Sequence, residues 1–121
     1  MYIAYWIIAG VLAFFYLYSG AMKVVRSREQ LVPMMGWVER TPIAAVRTIG
    51  VLEVLGAVGL IVPPLTGVAP WLAIAAAVGL VLVQIGGITV HIARGEIKVL
   101  GLNIALLVLA AVTVWLATIW V

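Results

Sequence analysis

Four long apolar stretches dominate the chain, and three short polar connectors separate them. A bilayer core about 30 Å thick is crossed by roughly 20 apolar residues in an α-helix, so each stretch is long enough to span a membrane once. The pattern predicts an all-α fold, an integral membrane four-helix bundle with short connectors, formed by residues 1–121 as a single domain. The predicted spans are residues 3–22, 43–62, 71–90 and 100–120.

The first stretch has to be distinguished from a cleaved signal peptide. No basic residue precedes it, and it is longer than the apolar core of a signal peptide. We therefore expect it to be retained as the first membrane span.

The composition agrees with a membrane location. Hydrophobic residues make up 67% of the 121 residues, charged residues make up 9%, and the mean hydropathy is +1.33. A soluble domain is about half apolar and about a quarter charged, and a small domain has too much surface to hide the excess in its own core. The lipid bilayer is therefore the expected partner of most of the surface.

The basic residues predict the orientation of the bundle. They lie in or beside the first and third connectors, whereas the second connector and both termini contain no Lys or Arg. Because basic loops stay on the cytoplasmic side, we expect both termini on the external side. Most tryptophans lie near the predicted external ends, where aromatic rings favour the membrane interface: Trp6, Trp71, Trp115 and Trp120.

The first connector, residues 23–42, mixes apolar and charged residues. Met35 and Trp37 are apolar, and Glu29 and Arg40 flank them. This mixture predicts a short segment on the cytoplasmic membrane surface with Trp37 at the interface. A mobile loop is the alternative interpretation.

The types of residue present exclude several classes of site. Cysteine is absent, which removes disulfides, thiolate metal sites and thiol redox chemistry. With one histidine and scattered carboxylates, we expect no metal site and no intrinsic cofactor, and no residues are spaced as a catalytic triad. The seven basic residues form no patch, so nucleic acid is not an expected partner. The sequence leaves open whether the chain is an enzyme.

Polar side chains inside the spans are the candidate functional residues. An ionisable group at the bilayer centre costs about 3 kcal/mol on insertion scales and usually faces the bundle interior. At about 1.5 Å per residue, Glu53 lies about 15 Å from the cytoplasmic end of its span, near the midplane. Seven residues between the midplane and the cytoplasmic rim predict a ligand-binding pocket open to the cytoplasm: Glu53, Arg47, Lys23, Ser19, Gln84, His91 and Asn103.

The same residues have a structural interpretation. Lys23 and Arg47 would then extend to lipid phosphates, or one of them would pair with Glu53. Gln84 and Asn103 would only hold helices together. Small residues in the second and third spans predict close helix packing, within the bundle or against a second copy, and we expect a homodimer.

Three segments resemble motifs of the DoxX-like family of small membrane proteins. They are Tyr16–Lys23 in the first span, Arg47–Pro63 in the second, and His91–Glu96 before the last span. Asn103, inside the last span, completes the pattern. The resemblance implies a multi-pass four-helix bundle in a prokaryotic cytoplasmic membrane. It also implies that the motif positions are the functional ones: Ser19, Lys23, Arg47, Glu53, His91 and Asn103.

The resemblance also implies a function, because some relatives resemble the membrane subunit of a thiosulfate:quinone oxidoreductase. The main hypothesis is a quinone- or lipid-binding subunit of a membrane oxidoreductase system, with an oxidoreductase subunit as partner. Without cysteine, the chain would handle electrons only through a bound quinone or a partner's cofactor. The alternatives are a small proton-coupled transporter and a membrane scaffold or assembly protein without chemistry. A co-purifying quinone would favour the oxidoreductase subunit. Substrate-dependent proton flux would favour the transporter, and retention of a partner with a dispensable Glu53 would favour the scaffold.

Overall fold

A computed structural model gives the fold and describes residues 2–31, 33, 41–95 and 100–120. Helices account for most of these residues, and the last helix continues into a 3₁₀ turn at Ala117–Trp120. The helices are α1 (Tyr2–Val25), α2 (Arg28–Leu31), α3 (Ile43–Thr66), α4 (Leu72–Ala93) and α5 (Leu100–Leu116).

Four of these helices are long and apolar enough to cross a membrane: α1, α3, α4, and α5 with its 3₁₀ turn. The predicted all-α membrane fold is therefore confirmed, and the described residues include no strand. The predicted surface segment around Met35 and Trp37 lies outside the described residues.

The four long helices form a ring in which α1 packs on α3, α3 on α4, α4 on α5, and α5 on α1. Neighbouring helices are antiparallel, so each end of the bundle collects two helix starts and two helix ends. We call one end the basic end, because Lys23, Arg26, Arg47 and Arg94 lie there. The opposite end is the aromatic end, where α1 begins and α5 finishes.

The aromatic end is held together by ring contacts. Tyr2, Tyr5 and Trp6 of α1 all meet Trp120 edge-on, with ring centroids 5.4 to 5.7 Å apart. Edge-to-face pairs place the positive edge of one ring against the negative face of the other. These contacts join the first helix to the last.

The end of α3 contains two prolines that the sequence had placed in the second connector. Pro63 and Pro64 lie in the last turn of α3, and the chain leaves the helix at Gly67, whose φ is 75°. Proline has no N–H, so Pro64 cannot donate to the carbonyl of Leu60 four residues earlier. The Tyr5 hydroxyl of α1 donates to that carbonyl instead, at 2.6 Å. A hydrogen bond between helices thus replaces one that α3 cannot make.

Helices α1 and α3 come closest at two facing glycines. A Cβ atom at Gly20 would lie 2.6 Å from the Gly50 carbonyl oxygen, and one at Gly50 would lie 2.7 Å from the Gly20 oxygen. Any side chain at either position would push the backbones apart. The crossing point therefore fixes which side chains of the two helices face each other, which matters for the residues one turn away.

Burial is uneven along α4 and α5. Gln84 is the last buried residue of α4, and Leu106 is the first buried residue of α5. Towards the basic end, Gly87 and Asn103 are only half-buried. The bundle is thus less closely packed between α4 and α5 at its basic end than at its aromatic end.

Candidate functional site

A buried ion pair joins α1 to α3. The Lys23 Nζ atom donates to Glu53 Oε1 at 2.5 Å and to Ser19 Oγ at 2.7 Å. Glu53 is 2% exposed and Lys23 is 6% exposed, so both charges are withdrawn from the protein surface. Each charge is offset by the other, as a charge in an apolar interior requires.

The glycine crossing explains why these two residues meet. Lys23 follows Gly20 by one turn in α1, and Glu53 follows Gly50 by one turn in α3. Helical side chains lean towards the N-terminus of their own helix, so in antiparallel helices these two lean towards each other. The Lys23 side chain has room next to α3 because Gly50 has no side chain. A Cβ atom at Gly50 would lie only 2.7 Å from Lys23 Cβ.

Ser19 completes the ion pair from the same helix as Lys23. The two residues are four apart in α1 and therefore lie on the same helix face. The lysine ammonium has three hydrogens to donate, and the serine oxygen accepts one of them.

Arg47 lies next to this group but does not join the carboxylate. Its Nη1 atom donates to two backbone carbonyl oxygens at the end of α1, those of Lys23 at 2.6 Å and Arg26 at 2.5 Å. The last carbonyls of a helix have no intrahelical donor, and a cation there also complements the helix dipole. Arg47 thus caps α1, and of the two basic residues considered as partners of Glu53, it is Lys23 that reaches it.

A second polar contact joins α1 to α4 close by. The Gln84 Nε2 atom donates to the Tyr16 hydroxyl oxygen at 2.5 Å. Tyr16 is fully buried and Gln84 is 7% exposed. The other end of the amide, Gln84 Oε1, is buried and has no hydrogen-bond partner among the described residues.

The remaining predicted residues lie nearer the basic end. Asn103 of α5 is half-buried, and its Nδ2 atom would be 3.2 Å from a Cβ at Gly87 of α4. His91 is half-buried about two turns beyond Gln84, in the last turn of α4. The structure therefore brings Ser19, Lys23 and Glu53 into direct contact. It places Arg47 at the end of α1 and Gln84 on Tyr16, whereas His91 and Asn103 lie nearer the basic end.

Tyr16 is the one residue among these buried polar contacts that was not among the residues predicted from the sequence. A signal was present, because Tyr16 precedes Ser19 by three residues and Lys23 by seven, which places all three on one helix face. Tyrosine is common in membrane helices as an interfacial residue, and this hides a buried one. We call the group Ser19, Lys23, Glu53, Tyr16 and Gln84 the polar layer.

The described residues contain no group of three His, Asp or Glu side chains arranged to hold a metal ion. The polar layer supplies an ammonium, a carboxylate, two hydroxyls and an amide.

An apolar groove lies on the outer face of α3 and α4. Its volume is about 620 Å³, and Gly56, Gly59, Ala76 and Gly79 contribute small residues to its walls. Leu52 and Val83 also line the groove, so it extends to the depth of their sequence neighbours Glu53 and Gln84. The residues that line the groove are all apolar or glycine.

Comparison with known proteins gives one match. The model of the DoxX-like family matches residues 7–113, which is most of the chain and includes every residue of the polar layer. No match was found among curated proteins or among solved structures.

Proposed function

The chain belongs to the DoxX-like family, and we propose that it binds a quinone, in its oxidised or its reduced form, or a lipid at the polar layer, as a subunit of a membrane oxidoreductase system. The ligand would have a neutral polar head and a hydrocarbon tail. The membrane would be the cytoplasmic membrane of a prokaryote, with the basic end in the cytoplasm.

The observation that carries this proposal is the buried oxygen of Gln84. A buried acceptor without a donor costs about 1–3 kcal/mol, and such groups are rare in folded proteins. Gln84 Oε1 has no hydrogen-bond partner among the described residues, although it lies among the most polar side chains of the bundle. A ligand head that bonds to this amide would remove the cost, and that gain would contribute to binding.

The packing of the basic end supports access to this position. Towards the basic end, Gln84 is the last buried residue of α4 and Leu106 is the last buried residue of α5. Gly87 has no side chain, and among the described atoms outside its own stretch of helix only Asn103 Nδ2 lies within 4 Å of where its Cβ would be. A head group would therefore approach Gln84 between α4 and α5 by displacing the Asn103 amide.

The Lys23–Glu53 pair would act on the ligand indirectly. The pair is buried, and its two charges already bond to each other. We propose that it holds α1 against α3 and so fixes Tyr16, which in turn holds Gln84. In this proposal the predicted central residue, Glu53, supports the site, and Gln84 contacts the ligand.

Ligand extraction from purified protein tests the proposal. The protein is purified in a mild detergent from its native membrane, extracted with organic solvent, and the extract is analysed by mass spectrometry. We expect a quinone or one lipid class at close to one molecule per chain, well above its level in an unrelated four-span protein prepared in parallel. Loss of this enrichment in Gln84→Leu, with enrichment kept in Thr89→Val, would assign the ligand to the polar layer.

Thr89→Val is a matched control for that experiment. Thr89 is exposed on the same helix, and its hydroxyl donates to the Ile85 carbonyl of its own helix at 2.9 Å. If extracts of the wild type contain no enriched quinone or lipid, the proposed function is wrong.

A scaffold role is the second candidate, and one observation favours it. Lys23 donates hydrogen bonds to both Glu53 and Ser19, and all three residues are buried, as expected for side chains that join helices. Under this reading, Gln84→Leu would leave partner retention unchanged, and no ligand would be recovered.

A further inference from the structure

The polar layer carries an inference about the form of the ligand that it would select. We infer that its head group donates a hydroxyl hydrogen to Gln84 Oε1, so that the site favours a reduced quinol, or another hydroxyl-bearing head, over an oxidised quinone. This inference rests on the proposed function, because it assumes that the layer binds a ligand.

The first step concerns which atom of the Gln84 amide is available. The Nε2 atom donates to the Tyr16 oxygen, and the Oε1 atom is buried with no hydrogen-bond partner among the described residues. An amide oxygen only accepts hydrogen bonds. A quinone carbonyl also only accepts, so it cannot bond to this atom, whereas a hydroxyl can.

The second step concerns what holds the amide in this orientation. The nitrogen and oxygen of an amide can exchange places by rotation, so the surrounding network decides between them. Here the Tyr16 oxygen accepts from Gln84 Nε2 at 2.5 Å, which turns the amide oxygen away from Tyr16.

The third step identifies Tyr16 as a positioning residue. Without its hydroxyl, the amide has no partner to orient it and can present either its nitrogen or its oxygen to a ligand. The preference for a hydroxyl donor should then disappear, while binding itself remains. A residue that only filled space would not change the preference in this way.

Equilibrium binding of decylubiquinol and decylubiquinone to the chain in nanodiscs tests the inference. We expect the wild type to bind the quinol at least tenfold more tightly than the quinone. Gln84→Leu should bind both forms equally and weakly, and Tyr16→Phe should bind both equally but close to the wild-type quinol affinity. Thr89→Val should retain the full preference, and each variant is compared with wild type for helix content and monodispersity.

The outcomes separate the two proposals. Equal binding, or tighter binding of the quinone by the wild type, would overturn the inference and leave the proposed function standing. If neither form binds and a diacylglycerol does not bind either, the proposed function fails. A diacylglycerol that displaces the quinol would identify a lipid hydroxyl as a second source of the same chemistry. A full preference in Tyr16→Phe would contradict the positioning role.

Discussion

At the scale of single residues, the Lys23–Glu53 pair sets the energetics of the polar layer. Two buried charges lose their hydration, and their mutual attraction repays this only when the geometry is good and further hydrogen bonds are made. Here the two charged atoms are 2.5 Å apart, and Ser19 accepts a second bond from the ammonium. The pair thus contributes less to overall stability than to the alignment of α1 and α3.

Removing one charge should be much more costly than removing both. Glu53→Gln takes away the countercharge of Lys23 in an apolar interior, which we expect to destabilise the protein by about 3–5 kcal/mol. Lys23→Met should cost a similar amount for the opposite reason. The double variant Lys23→Met/Glu53→Gln should recover most of the loss, because neither charge is then buried. Thermal unfolding in detergent, followed by intrinsic tryptophan fluorescence, measures the three differences.

A matched control uses a charge that is outside the polar layer. Arg26 is exposed at the basic end, and its side chain can be replaced in Arg26→Met with an expected change below about 1 kcal/mol. If Glu53→Gln is as stable as Arg26→Met, the ion pair has no structural role and the proposed support of Tyr16 is wrong.

The sequence predicted the members of the polar layer better than their contacts. An ionisable residue inside a span has to find a partner, so Glu53 was certain to be paired or neutralised. Whether Lys23 or Arg47 would reach it depended on how α1 is rotated against α3. That rotation follows from the approach of Gly20 to Gly50, a contact between residues 30 apart that no local pattern reveals. Tyr16 shares a helix face with Ser19 and Lys23, but the usual interfacial role of tyrosine hid this signal.

At the scale of helices, the Tyr5 hydroxyl and the end of α3 depend on each other. Pro64 leaves the Leu60 carbonyl without its usual donor, and Tyr5 supplies one at 2.6 Å. A backbone carbonyl without a donor is costly in the apolar part of a membrane. The hydrogen bond therefore allows two prolines inside a membrane helix and joins α1 to α3 near the aromatic end.

A double-mutant cycle tests this dependence. Tyr5→Phe removes the donor, and we expect a loss of about 1–3 kcal/mol because the Leu60 carbonyl stays buried without a bond. Pro64→Ala restores a backbone N–H, which can donate to the same carbonyl. In the Pro64→Ala background, Tyr5→Phe should therefore cost at least about 1 kcal/mol less than in the wild type. Equal costs in both backgrounds would mean that the tyrosine does not compensate for the proline.

The prolines also show why helix ends were harder to predict than helix positions. Counting apolar residues locates the part of a helix inside the hydrocarbon core, and proline usually signals that a helix has stopped. In α3 the helix continues through Pro63 and Pro64 to Thr66, and it ends only where Gly67 adopts a positive φ. The donor that makes this tolerable lies 55 residues away in sequence.

At the scale of the whole molecule, the orientation in the membrane decides where a ligand would reach the polar layer. The distribution of Lys and Arg along the sequence is the signal for this orientation. The layer lies towards the basic end of the bundle, and the looser packing between α4 and α5 lies on the same side. If the basic end is cytoplasmic, the ligand and any partner subunit would meet the chain from the cytoplasmic half of the membrane.

Labelling of single cysteines tests this orientation. Ser27 follows α1 at the basic end, and Thr66 is the last residue of α3 at the aromatic end; both are exposed. Helix α3 has 24 residues and is therefore about 36 Å long, which is enough to place its two ends on opposite sides of a bilayer core about 30 Å thick. The chain has no cysteine, so each variant carries one thiol and any label can be assigned without ambiguity. In intact cells, a maleimide that cannot cross membranes should label Thr66→Cys and leave Ser27→Cys unlabelled until the membrane is permeabilised.

The opposite result would place the basic end outside the cell, and labelling of both variants in intact cells would mean that the chain inserts in both directions. In either case the polar layer would no longer be reached only from the cytoplasm, and a cytoplasmic partner subunit could not be required for its function.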